Sequence, residues 1–349
     1  MSRLLTYTVA ALVALTALPR TAGAQVYPER VRIAVKHAIE QYQRREREQN
    51  REEQTERFTK TVRLGSNGSL DVGNIAGDIT VTRGGGNDAT IEVIKTAHAR
   101  TVEDAKQQLQ MVQVEINERS GRVEVKAQYP HGDSGRAFHG NFNVVVAYNI
   151  TAPAGTSLTM SSISGDIKVT DIKGDISANS VSGDVRISGG AHVTGAKSVS
   201  GSVEITDTQS QNGLEAGSIS GDVTLRKVSA RRLDLSSVSG NIHVEDTQSE
   251  RVFAHVVSGN VGYTGPFAKG GRYELKSFSG DVRVAVTGGS GFEVEASSFS
   301  GEVRPEMDIV VKSMGDSRRR QTSLTGTYGD GSAVLQITTF SGRIVISKR

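Results

Sequence analysis

The chain has 349 residues, with 41 Lys and Arg against 38 Asp and Glu, and it contains no cysteine. A formal net charge of +3 with dispersed basic residues excludes the concentrated positive surface of a nucleic-acid-binding protein. The lack of cysteine excludes disulfides and a cysteine-linked lipid anchor, and 5% aromatic residues without tryptophan leave few stacking surfaces for sugars or bases.

Residues 1–24 have the pattern of a secretory signal peptide. Arg3 is followed by the uncharged run Thr8–Leu18, and Ala22-Gly23-Ala24 forms a small-x-small cleavage site. The run is too short to span a bilayer, which needs about 20 apolar residues, and no later stretch approaches that length. We therefore predict an exported protein, periplasmic, extracellular or at the cell surface, with no transmembrane segment in the mature chain.

Residues 25–57 predict a charged amphipathic helix. After Pro28, a favourable first-turn residue, one helical stripe carries the apolar side chains Val31, Val35, Ala38, Ile39 and Tyr42. No apolar residue occurs from Gln43 to Arg57. We interpret the segment as a solvated spacer, and a helix that docks on a partner or a surface is the alternative.

Residues 58–157 predict a β-rich N-terminal part that caps the repeats. The segment Leu70–Val81 already fits the repeat frame described below. The predicted elements after it are strands at Ala89–Ile94, Val112–Ile116, Arg122–Gln128 and Asn143–Ile150, a short helix around Val102–Gln110 and a loop at Pro130–Gly140. Such a cap would block the open edge of the first coil.

Residues 158–349 carry a repeat. Ser-Gly, any residue, and then Val or Ile occurs nine times, with glycines at 165, 183, 201, 221, 240, 259, 280, 301 and 342. The step is 18 to 21 residues except for a final gap of 41, about two steps. The residues five before, two before and two after each glycine are apolar in every copy, whereas the positions seven before and four after each have one exception, Thr194 and Pro305.

The phase of these apolar residues predicts strands with one buried face. In one copy the predicted inward residues are Val181, Gly183, Val185 and Ile187, and the outward ones are Ser182, Asp184 and Arg186. The spacing of three between the positions five and two before the glycine requires a corner, predicted at Ser180, Ser198, Ser218, Ser237, Ser277 and Ser298. Stacking such coils gives an all-β fold, a single-stranded β-helix-like solenoid with Val185, Val203 and Val223 in register.

The gap in the repeat coincides with residues 312–331, which include Arg318-Arg319-Arg320 and several glycines. We predict a loop inserted into a coil there, because the frame resumes at Leu335. The last coil then has no cap, and self-association through this terminal coil is a further expectation.

The frame Leu-x-Ala-x-Ser-Val-Ser-Gly-Asp-Val-x-Val and its lead-in from Val144 to Leu158, with Pro153-Ala-Gly155 before the first Ser-Gly-Asp, resemble the "putative adhesin" or toastrack family of bacterial β-strand-repeat proteins. The resemblance covers residues 58–349 and implies a solenoid-like β fold, usually envelope-associated. The family is a domain family of unknown function, and the resemblance implies no catalytic residue or cofactor.

Acidic residues follow many of the repeat glycines and form one column. Its members are Asp166, Asp184, Ser202, Asp222, Asn241, Asn260, Asp281, Glu302 and Arg343. Stacked carboxylates about 4.8 Å apart suggest a calcium site or a paired-carboxylate site. The period does not match the nine-residue calcium-binding β-roll, so we interpret the column as polar residues beside a tight glycine.

Other polar residues give no catalytic pattern. The serine before each glycine occurs in all nine copies, which is typical of a structural ladder and not of a single nucleophile. Histidines occur at 37, 98, 131, 139, 192, 243 and 255, and only His131 and His139 share a predicted loop, with Asp133. Arg318–Arg320 are predicted to be solvated, with an anionic partner as the alternative.

We interpret the chain as an exported, non-enzymatic β-solenoid that serves as a structural, adhesin-like or partner-binding module of the bacterial envelope. Its expected partner is an envelope protein or a glycan, with no cofactor or metal and with the ligand-binding residues unknown. A polysaccharide lyase or hydrolase on a β-helix is one alternative. A self-assembling envelope scaffold is the other.

Overall fold

A computed structural model describes residues 52–130, 142–317 and 320–349. The all-β solenoid predicted from the repeat is confirmed. Most of the predicted charged helix, residues 25–51, lies outside the described residues. Its last part is corrected, because Glu52–Arg57 belong to a strand that pairs antiparallel with Ile94–Ala99 along the edge of the cap.

The N-terminal part contains seven strands and a helix in the described range. Their bounds are β1 Glu52–Arg63, β2 Ser69–Ala76, β3 Ile79–Arg83, β4 Asp88–Ala99, α1 Val102–Met111, β5 Gln113–Arg119, β6 Arg122–Gln128 and β7 Val144–Ala152. Helix α1 begins after Thr101, whose hydroxyl accepts the backbone N–H of Asp104 at 3.1 Å. The predicted loop at Pro130–Gly140 lies outside the described residues apart from Pro130.

The repeats supply the remaining strands. Their bounds are β8 Ser157–Ser164, β9 Ile167–Thr170, β10 Asp175–Ser182, β11 Val185–Ser188, β12 His192–Ser198, β13 Val203–Ser218, β14 Val223–Ser239, β15 Ile242–Glu245, β16 Arg251–Ser258, β17 Val261–Gly265, β18 Arg272–Ser279, β19 Val282–Val286, β20 Phe292–Ser298, β21 Glu302–Glu306, β22 Val310–Ser317, β23 Arg320–Tyr328, β24 Ala333–Ser341 and β25 Arg343–Lys348. One strand before and one strand after each repeat glycine make one rung of the solenoid.

Corresponding strands of successive rungs pair in parallel. Val185 lies opposite Val203, and Val203 opposite Val223, so the predicted register is confirmed. All three side chains are fully buried. The core is therefore a set of columns of aliphatic residues, each shared by neighbouring rungs.

The N-terminal part forms the first rungs and their cover. Leu70–Val81 is a repeat copy, since β2 pairs in parallel with β8 and β3 with β9. On their other side β2 pairs with β6 and β3 with β7. The outer strands β4 and β5 then pair antiparallel with β7 and β6, and β1 pairs with β4.

The far end of the stack departs from chain order. Strand β24 pairs with β18 on one side and with β20 on the other, and β25 lies between β19 and β21 in the same way. The rung of Gly342 is thus inserted between the rungs of Gly280 and Gly301. The predicted uncapped terminal coil is wrong, because both edges of β24 and β25 are already paired.

The predicted loop at 312–331 is also wrong. Strands β22 and β23 form an antiparallel hairpin, and β23 pairs antiparallel with the outer edge of β20. This stretch is rich in β-branched and aromatic residues, such as Thr325, Thr327 and Tyr328, that suit a strand. The hairpin covers the edge that β20 would otherwise expose.

Candidate functional site

The repeat glycines bring neighbouring rungs into backbone contact. A β-carbon on Gly183 would overlap the carbonyl oxygen of Gly165, and one on Gly201 would overlap that of Gly183. Glycine is required at these positions because the main chain of the neighbouring rung occupies the space of a side chain. This contact fixes the sharp corner beside which the candidate site lies.

The residues three before each repeat glycine form the corner, as predicted. We call seven of the nine the corner hydroxyls: Ser180, Ser198, Ser218, Ser237, Ser277, Ser298 and Thr339, all buried. The other two positions, also buried, are Ser162 and Val256. Each corner hydroxyl donates to the carbonyl oxygen of the repeat glycine in a neighbouring rung, at 2.8 to 3.3 Å. At Ser162 the corresponding carbonyl, that of Gly77, already receives the side-chain amide of Asn74 at 2.7 Å.

The residues two before each repeat glycine point outward, so the predicted inward orientation of Val181 is wrong. In spatial order this apolar column consists of Ile75, Ile163, Val181, Val199, Ile219, Val238, Val257, Phe278, Phe340 and Phe299. Every member is between 40% and 76% exposed. At the corner the alternation of inward and outward side chains shifts by one residue. The position three before the glycine is buried, so the position two before it faces outward. Aliphatic and aromatic side chains are thereby left in solvent along ten consecutive rungs.

An open groove of about 1200 Å³ follows this column. Its floor is formed by the corner positions from Asn74 to Ser277, and one wall by the apolar column apart from Phe299. The other wall is formed by the residues four before each glycine, which include Ser161, Asn179, Lys197, His255 and Lys276. A contiguous exposed apolar column of this length makes the groove the candidate binding surface of the described structure.

Charged side chains lie along the second wall. Lys197 pairs with Glu215 at 2.7 Å, Lys276 pairs with Glu274, and Lys126 pairs with Glu124. The hydrogen bond and charge of Lys276 hold the pKa of Glu274 below its usual range, and Glu124 raises the pKa of Lys126. The pairs of Lys126 and Lys197 are exposed on both sides, so these lysines can exchange partners at low cost, whereas the partner of Lys276 is mostly buried.

The last three members of the apolar column are stacked phenylalanines. The rings of Phe278 and Phe340 are 4.9 Å apart and inclined by 5°, and those of Phe340 and Phe299 are 4.7 Å apart and inclined by 8°. The centroid separation equals the spacing of neighbouring strands, so the ladder follows directly from the register. The ring faces between neighbours are covered, and the edges face the solvent.

The acidic column after the glycines has a structural role. Side-chain oxygens of Asp78, Asp166, Asp184, Asp222, Asn241, Asn260 and Asp281 each accept the backbone N–H of the equivalent residue in the next rung, at 2.7 to 2.9 Å. Arg186 also bridges Asp166 and Asp184. These contacts offset the like charges, and no group of three metal-ligating side chains occurs in the described parts of the chain.

The remaining predicted residues are dispersed. Serines such as Ser164 and Ser182, directly before the glycines, are exposed and do not form the hydroxyl ladder. His37, His131, His139, Arg318 and Arg319 lie outside the described residues, and Arg320 begins β23. His98, His192 and His243 lie on separate strands, and His255 lines the groove.

The sequence model of the Toastrack DUF4097 family matches residues 173–347, just over half of the chain. The chain belongs to the Toastrack DUF4097 family. The matched range covers most of the toastrack rungs that line the groove. No curated protein matches the chain.

Several solved structures are similar to this toastrack chain. A "putative adhesin" from Bacteroides fragilis is 15% identical with a TM-score of 0.41, and the match covers 83% of this chain and 97% of that one. A "putative lipid binding protein" from Parabacteroides distasonis is 11% identical with a TM-score of 0.37, covering 83% and 96%. A "putative adhesin" from Parabacteroides merdae is 12% identical with a TM-score of 0.31, also covering 83% and 96%.

No helix within the described ranges of this toastrack protein has the length and apolar character needed to cross a membrane.

The groove itself is missed by reasoning from the sequence. Its signal is visible there, because an apolar residue directly after a buried corner serine cannot also point inward.

Proposed function

We propose that this protein is an exported, non-enzymatic binding module of the bacterial envelope whose ligand or partner lies along the apolar column. The observation that carries the proposal is the unbroken column from Ile75 to Phe299, half-exposed on every rung. Exposed apolar surface costs about 25 cal/mol per Å² relative to a buried state, so covering the column favours association. The pattern of residues 1–24 supports the export.

The hydrogen bonds made by the carboxylates of the acidic column favour a binding role over polysaccharide cleavage. One carboxylate oxygen of each of Asp166, Asp184 and Asp222 accepts a backbone N–H of the next rung, which ties these side chains to the ladder. A glycosidase instead needs a carboxyl pair free to exchange a proton with the substrate. The adhesin and lipid-binding names of the similar structures are in keeping with a binding role.

The test is a titration of the full-length chain with Nile red, an uncharged apolar dye whose fluorescence rises on binding. The double variant Val199→Asp/Val238→Asp places charges in the middle of the column, and we expect its Kd for the dye to rise about tenfold. The matched control is Val334→Asp, which changes an exposed strand valine outside the groove and should bind the dye like the unmodified chain.

Thermal unfolding of each variant checks that it is folded, and Val199→Thr/Val238→Thr serves as an isosteric second variant if the aspartates destabilise the chain. Equal dye binding by the column variant and the unmodified chain would overturn the proposal. An equal loss in the Val334→Asp control would overturn it as well.

A further inference from the structure

We infer that the groove binds the acyl chain of an anionic single-chain lipid, a long-chain fatty acid, laid parallel to the solenoid axis. The inference rests on the proposed function, that the apolar column is the binding surface, and adds the chemical class of the ligand. Three features of the groove favour a hydrocarbon chain over a peptide or a sugar.

The first feature is the absence of a free strand edge beneath the groove in the described rungs. Strand β10 is paired with β8 and β12, and the rungs that follow are flanked on both sides in the same way. A peptide that binds by strand addition needs unpaired N–H and C=O groups at an edge. Such an occupant therefore has no main-chain groups to pair with along the groove.

The second feature is the commitment of the polar floor. The corner hydroxyls donate to glycine carbonyls, for example Ser198 to Gly183 and Ser218 to Gly201, both at 2.8 Å. The stacked phenylalanines cover the ring faces that lie between neighbours, so only the outer faces of Phe278 and Phe299 are left for a sugar ring to stack on. A ligand that requires neither hydrogen bonds nor ring faces, such as a hydrocarbon chain, loses nothing here.

The third feature is the spacing of the cations. Lys126, Lys197 and Lys276 occupy equivalent positions four rungs apart along one wall. Four rungs at about 4.8 Å give roughly 19 Å between successive lysines. An acyl chain in one leaflet spans about 15 Å, half of the hydrocarbon thickness of a bilayer. One chain thus fits between two lysines with its head group at one of them.

The charges of the groove complement an anionic head group. Among the described residues that line it, Lys126, Lys197, Lys276 and His255 stand against one carboxylate, Glu215. The three lysine side chains are about half-exposed, and each is paired with one glutamate: Glu124, Glu215 or the more buried Glu274. An incoming carboxylate can compete most readily at Lys126 and Lys197, whose partners are exposed. A lysine ammonium accepts such an anion without a fixed geometry.

The experiment measures displacement of Nile red from the full-length chain by palmitate, hexadecanol and octanoate, with palmitate and octanoate below their micelle concentrations and hexadecanol below its solubility limit. We expect palmitate to displace the dye, hexadecanol to do so more weakly and octanoate to have little effect. In Lys197→Gln/Lys276→Gln the Kd for palmitate should rise at least about threefold, and by more than the Kd for Nile red or hexadecanol, because only palmitate carries a charge. The control Lys168→Gln/Lys312→Gln alters two lysines that do not line the groove and should leave palmitate binding unchanged.

The outcomes separate the two proposals. Nile red binding that depends on Val199 and Val238 without displacement by palmitate would overturn the acyl-chain inference and leave the proposed function standing. Dye binding that ignores the column would overturn both. If palmitate and hexadecanol displaced the dye equally and the lysine variant changed neither, the inference of an anionic head group would be overturned. If the chain formed a dimer and lost dye binding as it did so, the occupant of the groove would be a second copy of the chain.

Discussion

At the scale of the residue, the repeat glycine is fixed by its neighbour's backbone. The position of a β-carbon on Gly201 is taken by the carbonyl group of Gly183, and main-chain atoms cannot move aside without breaking the ladder of both rungs. The same overlap recurs from Gly165 to Gly342. Glycine is therefore required for close stacking at the corner and not for conformational freedom at most of these positions.

We expect Gly201→Ala to lower the free energy of unfolding by roughly 2–4 kcal/mol, because two rungs must separate locally. Gly195 is the matched control, since it lies in a strand and a methyl group added there would have no atom within 4 Å. Gly195→Ala should change stability by about 0.5 kcal/mol or less. Chemical denaturation followed by circular dichroism compares the two, and equal effects would contradict the backbone-contact explanation.

At the scale of the element, β25 is held in its slot by Asp281, which directly precedes β19. Burial raises the pKa of Asp281, but the backbone N–H of Arg343 at 2.9 Å and its guanidinium at 3.0 Å outweigh burial and lower that pKa overall. Arg283 adds a second positive charge at 2.8 Å. The contact thus joins two residues that are 62 positions apart in the chain.

A lowered native pKa means that this contribution to stability is present above the ordinary carboxyl pKa of about 4 and is lost as the pH falls through the native value. Asp281→Asn retains the acceptor oxygen, as Asn241 and Asn260 do on other rungs, but loses the charge. We expect the variant to unfold at a lower temperature at pH 7 and the difference to shrink as the pH falls below the ordinary carboxyl pKa of about 4.

In the Arg343→Gln background, Asp281→Asn should have a smaller effect, which a double-mutant cycle at pH 7 would measure. A difference between the unmodified chain and Asp281→Asn that is constant from pH 7 to pH 3 would contradict the ionic part of the argument.

The element scale also shows what could be read from the sequence. The columns of inward aliphatics, the helix after Thr101 and the corner serines follow from periodicity and capping. Thr194 breaks the pattern because a bulge places Val193 inward instead. Pro305 breaks it because β21 pairs only with β25 in the described structure, so its missing N–H costs no ladder bond.

Pro305 was thus a signal that the rung of Gly301 is the outermost, although sequence order suggested the rung of Gly342. Order along the chain is normally a good guide to order in a solenoid. Here every rung presents the same inward pattern, so any rung could follow any other, and local periodicity does not determine the sequence of stacking. The same uniformity hid the groove, because only the corner geometry turns Val181 outward.

At the scale of the whole molecule, the order of the last three rungs can be tested with paired cysteines, since the chain has none of its own. Lys276 is the direct partner of Thr338, and Thr338 is the partner of Ser297. Disulfides require α-carbons about 4.4–6.8 Å apart, which neighbouring rungs satisfy and rungs two apart do not.

We expect Lys276→Cys/Thr338→Cys to form an intramolecular disulfide on mild oxidation and Lys276→Cys/Ser297→Cys to remain reduced. Mass spectrometry after alkylation distinguishes the two states. The reverse result would show that the rungs stack in chain order.

The inserted rung has a consequence for how the chain reaches its native state. During synthesis, residues 292–306 emerge before residues 333–348, yet they must not settle on residues 272–286, whose surface they match in pattern. A nascent chain that added its rungs in the order of synthesis would pair residues 292–306 with residues 272–286 and leave no place for the rung of Gly342. This premature pairing is a kinetic trap that follows from the topology. The hairpin β22–β23 emerges between the two and pairs with the outer edge of β20, which leaves the inner edge of β20 as the place where the missing rung must enter.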